Sequence, residues 1–276
     1  MSTLMHAAGV EAFGDPLREL ELPRPVAKDG EVLVRVRAAA VNPADAGMVA
    51  GRYRWAEPVR FPLVPGYDVA GEDAATGAPV VAFTLHKATQ RGGYAQFVAL
   101  PADLVVPLPD GADPVAAAAL PLAGLTAWQA LDALGDGVRT LHVNGRGAVG
   151  AFAKALAPGR GLEVVDDGPV DAAVDVVGGE RARQAFARVR DGGRYVTVVP
   201  EFWVPGGPFA AERGIGPRVV SARYDRTQLL GVVERFAAGT LRPAIGDVLP
   251  LAEAAEAHRR LSRGVRGKLV LEVGSA

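Results

Sequence analysis

From Glu31 to Arg37 the chain alternates charged and apolar residues, the two-residue period of a half-buried strand. Short apolar runs at residues 69–72, 80–83 and 94–100 repeat the strand signal. Pro43, Gly51, Pro58, Pro62, Pro65, Gly66 and Gly71 punctuate the chain before and between them. Strands and turns at this spacing predict a compact, barrel-like β domain over the first 120 residues. Asp113 followed by Pro114 and an alanine-rich run predicts a helix start. The pattern then changes. Apolar strands at 141–143, 172–177, 195–199 and 219–224 alternate with helical stretches at 125–134, 148–157, 181–189 and 227–238. Strand and helix in turn are the sign of a parallel sheet. A helix at 251–262 and a strand at 268–273 follow, the strand expected to return to the first domain. The reading is an α/β chain of two domains: residues 1–121 with 246–276 as the β domain, and 122–245 as a truncated, doubly wound parallel sheet.

The chemistry concentrates where the first of those parallel strands ends. Gly145, Gly147 and Gly150 have the G-x-G-x-x-G spacing, with Arg146, Ala148 and Val149 between them. In such a turn the first glycine permits the bend and the second lets a pyrophosphate approach the backbone. The third lets helix and strand pack closely, and the helix N-terminus faces the anion. In a chain with 34 glycines the spacing alone is a weak signal, and a plain strand–turn–helix is the competing reading.

Composition narrows the rest. A net charge of −1 gives no footing for nucleic acid or an anionic membrane surface. No apolar run reaches membrane-spanning length. The start of the chain shows no signal peptide, so a cytoplasmic protein is expected. There is no cysteine, which removes thiolate catalysis and cysteine-based zinc sites. The four histidines, His6, His86, His142 and His258, show no ligand spacing, so no metal site is expected.

Several ordered motifs then add up to a family. They are Asn42-Pro43-Ala44-Asp45, the stretch from Pro62 through Pro65-Gly66-Tyr67-Asp68 to Gly71, and Gly92-Gly93-Tyr94-Ala95. Further on come Ala118-Ala119-Leu120-Pro121 with Gly124-Leu125-Thr126-Ala127-Trp128, and Gly267-Lys268-Leu269 near the end. The chain resembles the medium-chain dehydrogenases/reductases, in their zinc-free quinone oxidoreductase and enoyl reductase branch. The resemblance runs nearly end to end. It implies a GroES-like domain, a Rossmann-type domain, and a cleft between them. It implies hydride transfer from NADPH or NADH to a small carbonyl substrate, a quinone or an activated alkene, and a homodimer joined through residues 218–224. By position, Thr126 would touch the nicotinamide amide, and Asn42 its ribose or the substrate carbonyl. Tyr53 would donate to the developing enolate. Val177 belongs to the same nucleotide-binding set. Tyr67 occupies the place of the histidine that zinc-dependent members carry. Each role has a plain rival: Asn42 satisfying its turn, Tyr53 packed at the surface, Thr126 an ordinary helix residue.

One departure stands out. After Pro158-Gly159 about a dozen residues lead to Asp171, where relatives have a further strand and two helices around another strand; roughly 40 residues are missing by that comparison. Asp166 lies at the distance expected of an acid that binds the adenosine ribose. A parallel crossover needs about a dozen residues, so residues 162–165 are expected to be a hairpin arm or an irregular cover, not a parallel strand. Arg146, Arg160 and Arg194 are the candidate partners for a 2′-phosphate, and Phe61, Trp55, Phe202 and Trp203 for an apolar pocket. The trimmed half-site leaves two alternatives open. One is a cofactor-independent cyclase, dehydratase or isomerase on the same scaffold, with Tyr53, Asp68, His86 or Asp45 as acid or base. The other is a binding or scaffold protein.

Overall fold

The computed structural model describes residues 3–199 and 211–274, except Arg54 and Ala56. Phe202 and Trp203 lie outside the described residues. In chain order the elements are β1 (Leu4–Gly9), β2 (Arg18–Pro23), β3 (Glu31–Val41), α1 (Pro43–Val49), β4 (Asp68–Asp73), β5 (Pro79–Phe83), α2 (His86–Thr89), β6 (Phe97–Pro101), β7 (Val105–Pro107) and α3 (Pro114–Ala118). Next come α4 (Pro121–Asp132), β8 (Thr140–Asn144), α5 (Ala148–Leu156), β9 (Glu163–Val164), β10 (Val170–Asp175), α6 (Gly179–Arg188), β11 (Val189–Thr197) and β12 (Arg218–Val219). The chain finishes with α7 (Arg226–Ala237), β13 (Ile245–Pro250), α8 (Ala254–Arg263) and β14 (Lys268–Glu272). The chain divides into two compact units, Met1–Leu122 with Leu229–Ala237 and Pro243–Ala276, and Ala123–Gln228 with Ala238–Arg242.

The first unit is built on the sheet β13-β14-β3-β4-β5-β7, with β6 paired to β3. The alternation read in residues 31–37 does its work here. Val34 and Val36 are buried, while the arginines between and after them reach Glu72, Arg37 in a two-pronged hydrogen bond of 3.1 and 3.2 Å. β14 lies antiparallel to β3, with Leu269 opposite Val41, so the last strand does return to the first unit. Its core gathers Val36, Leu63, Val69, Tyr94, Leu100 and Leu271.

The second unit holds one sheet, in the order β12-β11-β10-β8-β9, and every pair in it is parallel. β9 and β10 leave β8 on opposite sides, the switch in strand order beside which open α/β sheets bind ligands. β9 corrects the sequence expectation. It is a parallel strand, with Glu163 opposite Thr140 and Val164 opposite Leu141. The long crossover rule assumes a strand that climbs the full sheet. β9 climbs only two residues, so the chain has little height to lose before Val170 starts on the far side of β8. The irregular part is the link that follows: Val165 packs on the cluster of Val170, Phe186, Val189 and Tyr195. The strand expected over 219–224 is also shorter, ending at Val219. Beyond it Gln129 holds the chain through its side chain, accepting from Arg223 N at 3.0 Å and donating to Arg223 O at 2.7 Å, so those groups are not used in a ladder.

Candidate functional site

In the sheet unit the three motif glycines do three different things. Gly145 has φ +136°, a conformation L residues rarely adopt, and a Cβ there would come within 2.9 Å of Val177 Cγ2. A Cβ on Gly150 would run into the carbonyl oxygen of Gly145. So Gly145 and Gly150 are required by the protein's own packing. Gly147 is not: it caps α5 in an extended conformation, and nothing lies within 4 Å of where its Cβ would be. The open position is the one a pyrophosphate would approach, beside the unpaired N–H groups of the first helical turn. Ala148 and Val149 belong to that turn.

Asp175 fixes the floor under this loop. It is buried, and its carboxylate accepts from Asn144 Nδ2 at 2.7 Å, Thr197 Oγ1 at 2.9 Å, and the N–H groups of Val177 and Gly178 at 3.1 Å each. One side chain thus ties the carboxyl ends of β8, β10 and β11 together. Asp175 is absent from the sequence-based site set, although the Asp-x-Val-Gly ending of its strand was the available signal.

Asp166, expected at the adenosine ribose, lies beside α5. Its carboxylate pairs with Lys154 at 3.1 Å, its carbonyl accepts from Arg188, and the side chain is 78% exposed. The Lys154 ammonium holds that carboxyl below the usual range. Lys154 is seven residues past Gly147, roughly 10 Å down the helix at 1.5 Å per residue. Of the candidate phosphate partners, Arg160 pairs with Asp132 at 3.0 Å and stacks on Trp128, and Arg194 folds back on Gly192 O at 3.0 Å. Arg146 is exposed and has no hydrogen bond or ion pair among the described residues. Thr126 is buried in α4 at 8% exposure.

In the first unit a polar network sits inside apolar walls. Asn42 precedes α1, and its N–H donates to Asp45 Oδ2 at 2.8 Å. Its amide donates to Asp45 Oδ2 at 3.1 Å and Asp68 Oδ2 at 3.0 Å, and accepts from Lys268. Asp45 Oδ1 accepts from Tyr67 N at 3.0 Å, and Asp68 Oδ1 from Leu122 N at 2.8 Å. Lys268 Nζ stands 3.7 Å from Asp68. Tyr94 Oη lies 3.4 Å from Asp45 and 3.3 Å from His258 Nε2. Burial, then the charge of Asp68, pushes the Asp45 carboxyl up to about 7. Burial raises Asp68 as well, against the pull of Lys268. It lowers His258 to about 4.

Asn42 and Asp68, both expected as site residues, stand at the centre of this arrangement. The Asn42 amide is spent on Asp45, Asp68 and Lys268, and Asp68 is wholly buried with its oxygens occupied. These bonds hold the turn between β3 and α1 against β4 and β14. Tyr53 lies outside this hydrogen-bond network. It is half-buried, its phenol packs against Gly47, and burial followed by the Asp45 charge raises its pKa. It therefore stays protonated, the form that donates. Tyr67 stacks on Phe83 at 5.2 Å and 18°. Among the described residues no group of three or more His, Asp or Glu is placed to hold a metal ion.

A GroES-like β unit and a Rossmann-like parallel sheet with a glycine turn at its switch point define the class of this α/β protein. Two family models agree: an alcohol dehydrogenase GroES-like domain over residues 28–110, and a zinc-binding dehydrogenase over residues 146–271. The quinone oxidoreductase of Sus scrofa is 28% identical over 97% of this chain and 98% of its own length. That alignment runs over 323 positions, so at least 47 of them face no residue of the 276 present here. Among solved structures, the quinone oxidoreductase of Coxiella burnetii superposes with a TM-score of 0.83 at 26% identity, covering 98% of this chain and all of its own. That of Thermus thermophilus, solved also in complex with NADPH, gives 0.74 at 29% identity, covering 97% and 100%. The chain belongs to the medium-chain dehydrogenase/reductase superfamily.

Proposed function

We propose that the protein is a zinc-independent, NAD(P)H-dependent reductase of quinones or α,β-unsaturated carbonyl compounds. The observation that carries this reading is the division of labour among the motif glycines: two are demanded by packing, and Gly147 alone is left open at the helix end. The N–H groups beside Gly147, Ala148 and Val149 hold the pyrophosphate. Val177, exposed after β10 and against Gly145, supplies an apolar wall. Thr126 takes the carboxamide. Bound NAD(P)H contributes a hydride; the chain's own part is to position, to exclude water and to donate. Tyr53, kept protonated, donates to the carbonyl oxygen as charge develops on it. Independence from zinc is supported by the lack of cysteine and by Tyr67 stacked on Phe83 in the place of a ligand.

Titration with NADPH and NADH, followed by nicotinamide fluorescence, tests the reading. Saturable binding that Gly147→Asp abolishes is expected, and no binding of either at millimolar concentration rejects it. Arg146, alone of the three candidate arginines in having no partner among the described residues, favours NADPH. Arg146→Ala is expected to weaken NADPH about tenfold, the scale of a lost charge-assisted contact, and to leave NADH unchanged. The displaced Asp166 favours a second reading, a cofactor-free cyclase, dehydratase or isomerase. Failure of the titration would turn work to it.

A further inference from the structure

The β-rich unit carries a pocket that the proposed reaction does not use. Its volume is about 490 Å³, the size of a small-molecule site. Its walls include Met5 of β1, Leu22 of β2, Val26 just beyond that strand, Val64, and Phe97 of β6. Met5 and Phe97 belong to a small apolar cluster on which Leu22 and Val64 pack, so the pocket is the open side of that cluster. Val26 stands at the mouth, 83% exposed. Tyr53, Thr126 and the glycine turn take no part in lining it.

One charged pair, Arg91 with Glu31, interrupts the apolar wall. Arg91 Nη1 donates to Glu31 Oε1 at 2.6 Å and to Ala99 O at 2.9 Å. Glu31 Oε2 accepts from Lys28 N at 3.1 Å. The Arg91 guanidinium holds the Glu31 carboxyl below its usual range, so both groups are charged and their charges cancel. The two bonds through Nη1 fix the guanidinium, and they leave its Nε and Nη2 without a partner among the described residues. Those two atoms form an edge with which arginine binds a carboxylate through two parallel hydrogen bonds. A side chain already held in place loses little freedom on binding. The surplus charge around Phe97 is positive. Arg24 lies over its ring at 3.8 Å and makes no ion pair among the described residues. Arg35, which shares the Glu72 carboxylate with Arg37, lies 5.8 Å from the same ring.

An apolar body with a single carboxylate fits this combination. A neutral apolar molecule would leave the arginine edge to water. A phosphate or a dicarboxylate would bring a second negative charge towards Glu31. We propose that this pocket is a binding site for an amphipathic monocarboxylate, such as a medium-chain fatty acid, with its carboxylate on Arg91 and its apolar part against Met5, Leu22 and Phe97. The site stands or falls without the reductase reading.

The test compares octanoate with octanol, which share a chain length and differ in the charged end. The probe is the whole protein with isotope-labelled methionine methyl groups, followed by NMR. Met5 lines the pocket, Met48 is buried in α1 and serves as the internal control, and Met5→Leu assigns the signal. Octanoate is expected to shift the Met5 methyl resonance saturably and to leave Met48 in place. Its affinity should exceed that of octanol by at least about tenfold, the scale of a charge-assisted fork. Arg91→Met should erase that margin. Arg91→Lys, which keeps the charge and loses the fork, should narrow it. If Arg91→Met fails to fold for want of its bond to Glu31, Val26→Asp puts a like charge at the exposed mouth and should narrow the margin by itself. An unmoved Met5 resonance at millimolar octanoate, equal affinity for acid and alcohol, or a margin unchanged in the folded variants overturns the site.

Discussion

Asp45 and His86 show how single buried groups shape behaviour in solution. Folding lifts the Asp45 pKa from 3.8 to about 7, so between those values the native state holds a proton that the unfolded chain has lost. The stability this contributes is full below the unfolded value and is lost as pH rises through the folded one. His86 and His258 act in the opposite sense. Both fall from 6.5 to about 4, so their contribution is present above 6.5 and lost as pH drops through 4. The opposing effects overlap, so the wild-type profile alone does not isolate either. A difference between proteins does. Urea unfolding of His86→Phe beside the wild type is expected to show the variant gaining roughly 2 kcal/mol relative to the wild type between about pH 7.5 and about pH 5. A constant difference across that window would reject the low histidine pKa. Residue roles are the least legible part of the sequence. The motif alone does not show what the side chains of Asn42 and Asp68 bond to. Only the folded chain brings Lys268, 226 positions from Asn42, to use up the amide. Separations of that kind leave no local pattern.

At the scale of elements, the stretch from α5 to β10 decides what the proposed nucleotide site could do. β9 is a two-residue edge strand that delivers Asp166 to Lys154 and away from the glycine turn. Asp166→Ala is accordingly expected to change nucleotide affinity less than about twofold and to leave stability nearly unchanged, as exposed pairs do. A tenfold loss of NADH binding would restore Asp166 to the ribose. Most elements are visible in the sequence because their signals are local. The alternation at 31–37 lies within β3, and Asp113-Pro114 forms the capped start of α3, with the Asp113 carboxylate accepting from Val115 N at 3.0 Å. The miss at β9 comes from applying a rule for full-length crossovers to a strand too short to need one.

For the whole molecule, strand order carries more than composition does. β12-β11-β10-β8-β9 is a doubly wound order that stops one strand beyond its switch point, which is the shortening read from the spacing of Pro158 and Asp171. At the opposite edge stands β12, two exposed residues long. We expect a homodimer joined through that edge, and light scattering at micromolar concentration should return twice the chain mass of 28.6 kDa. A monomer would reject it. The two-unit fold is legible because its motifs are spread along the chain in order.

The turn after β9 has a use of its own. Asp166 through Pro169 are exposed, and the chain on either side is anchored by Leu162 and Val170 in the core. The family resemblance puts a long excursion at this point and the present chain has a short one, so the sheet tolerates both lengths. For protein engineers it is a natural splice port, where a reporter or sensor module enters and leaves without asking any buried strand to shift register.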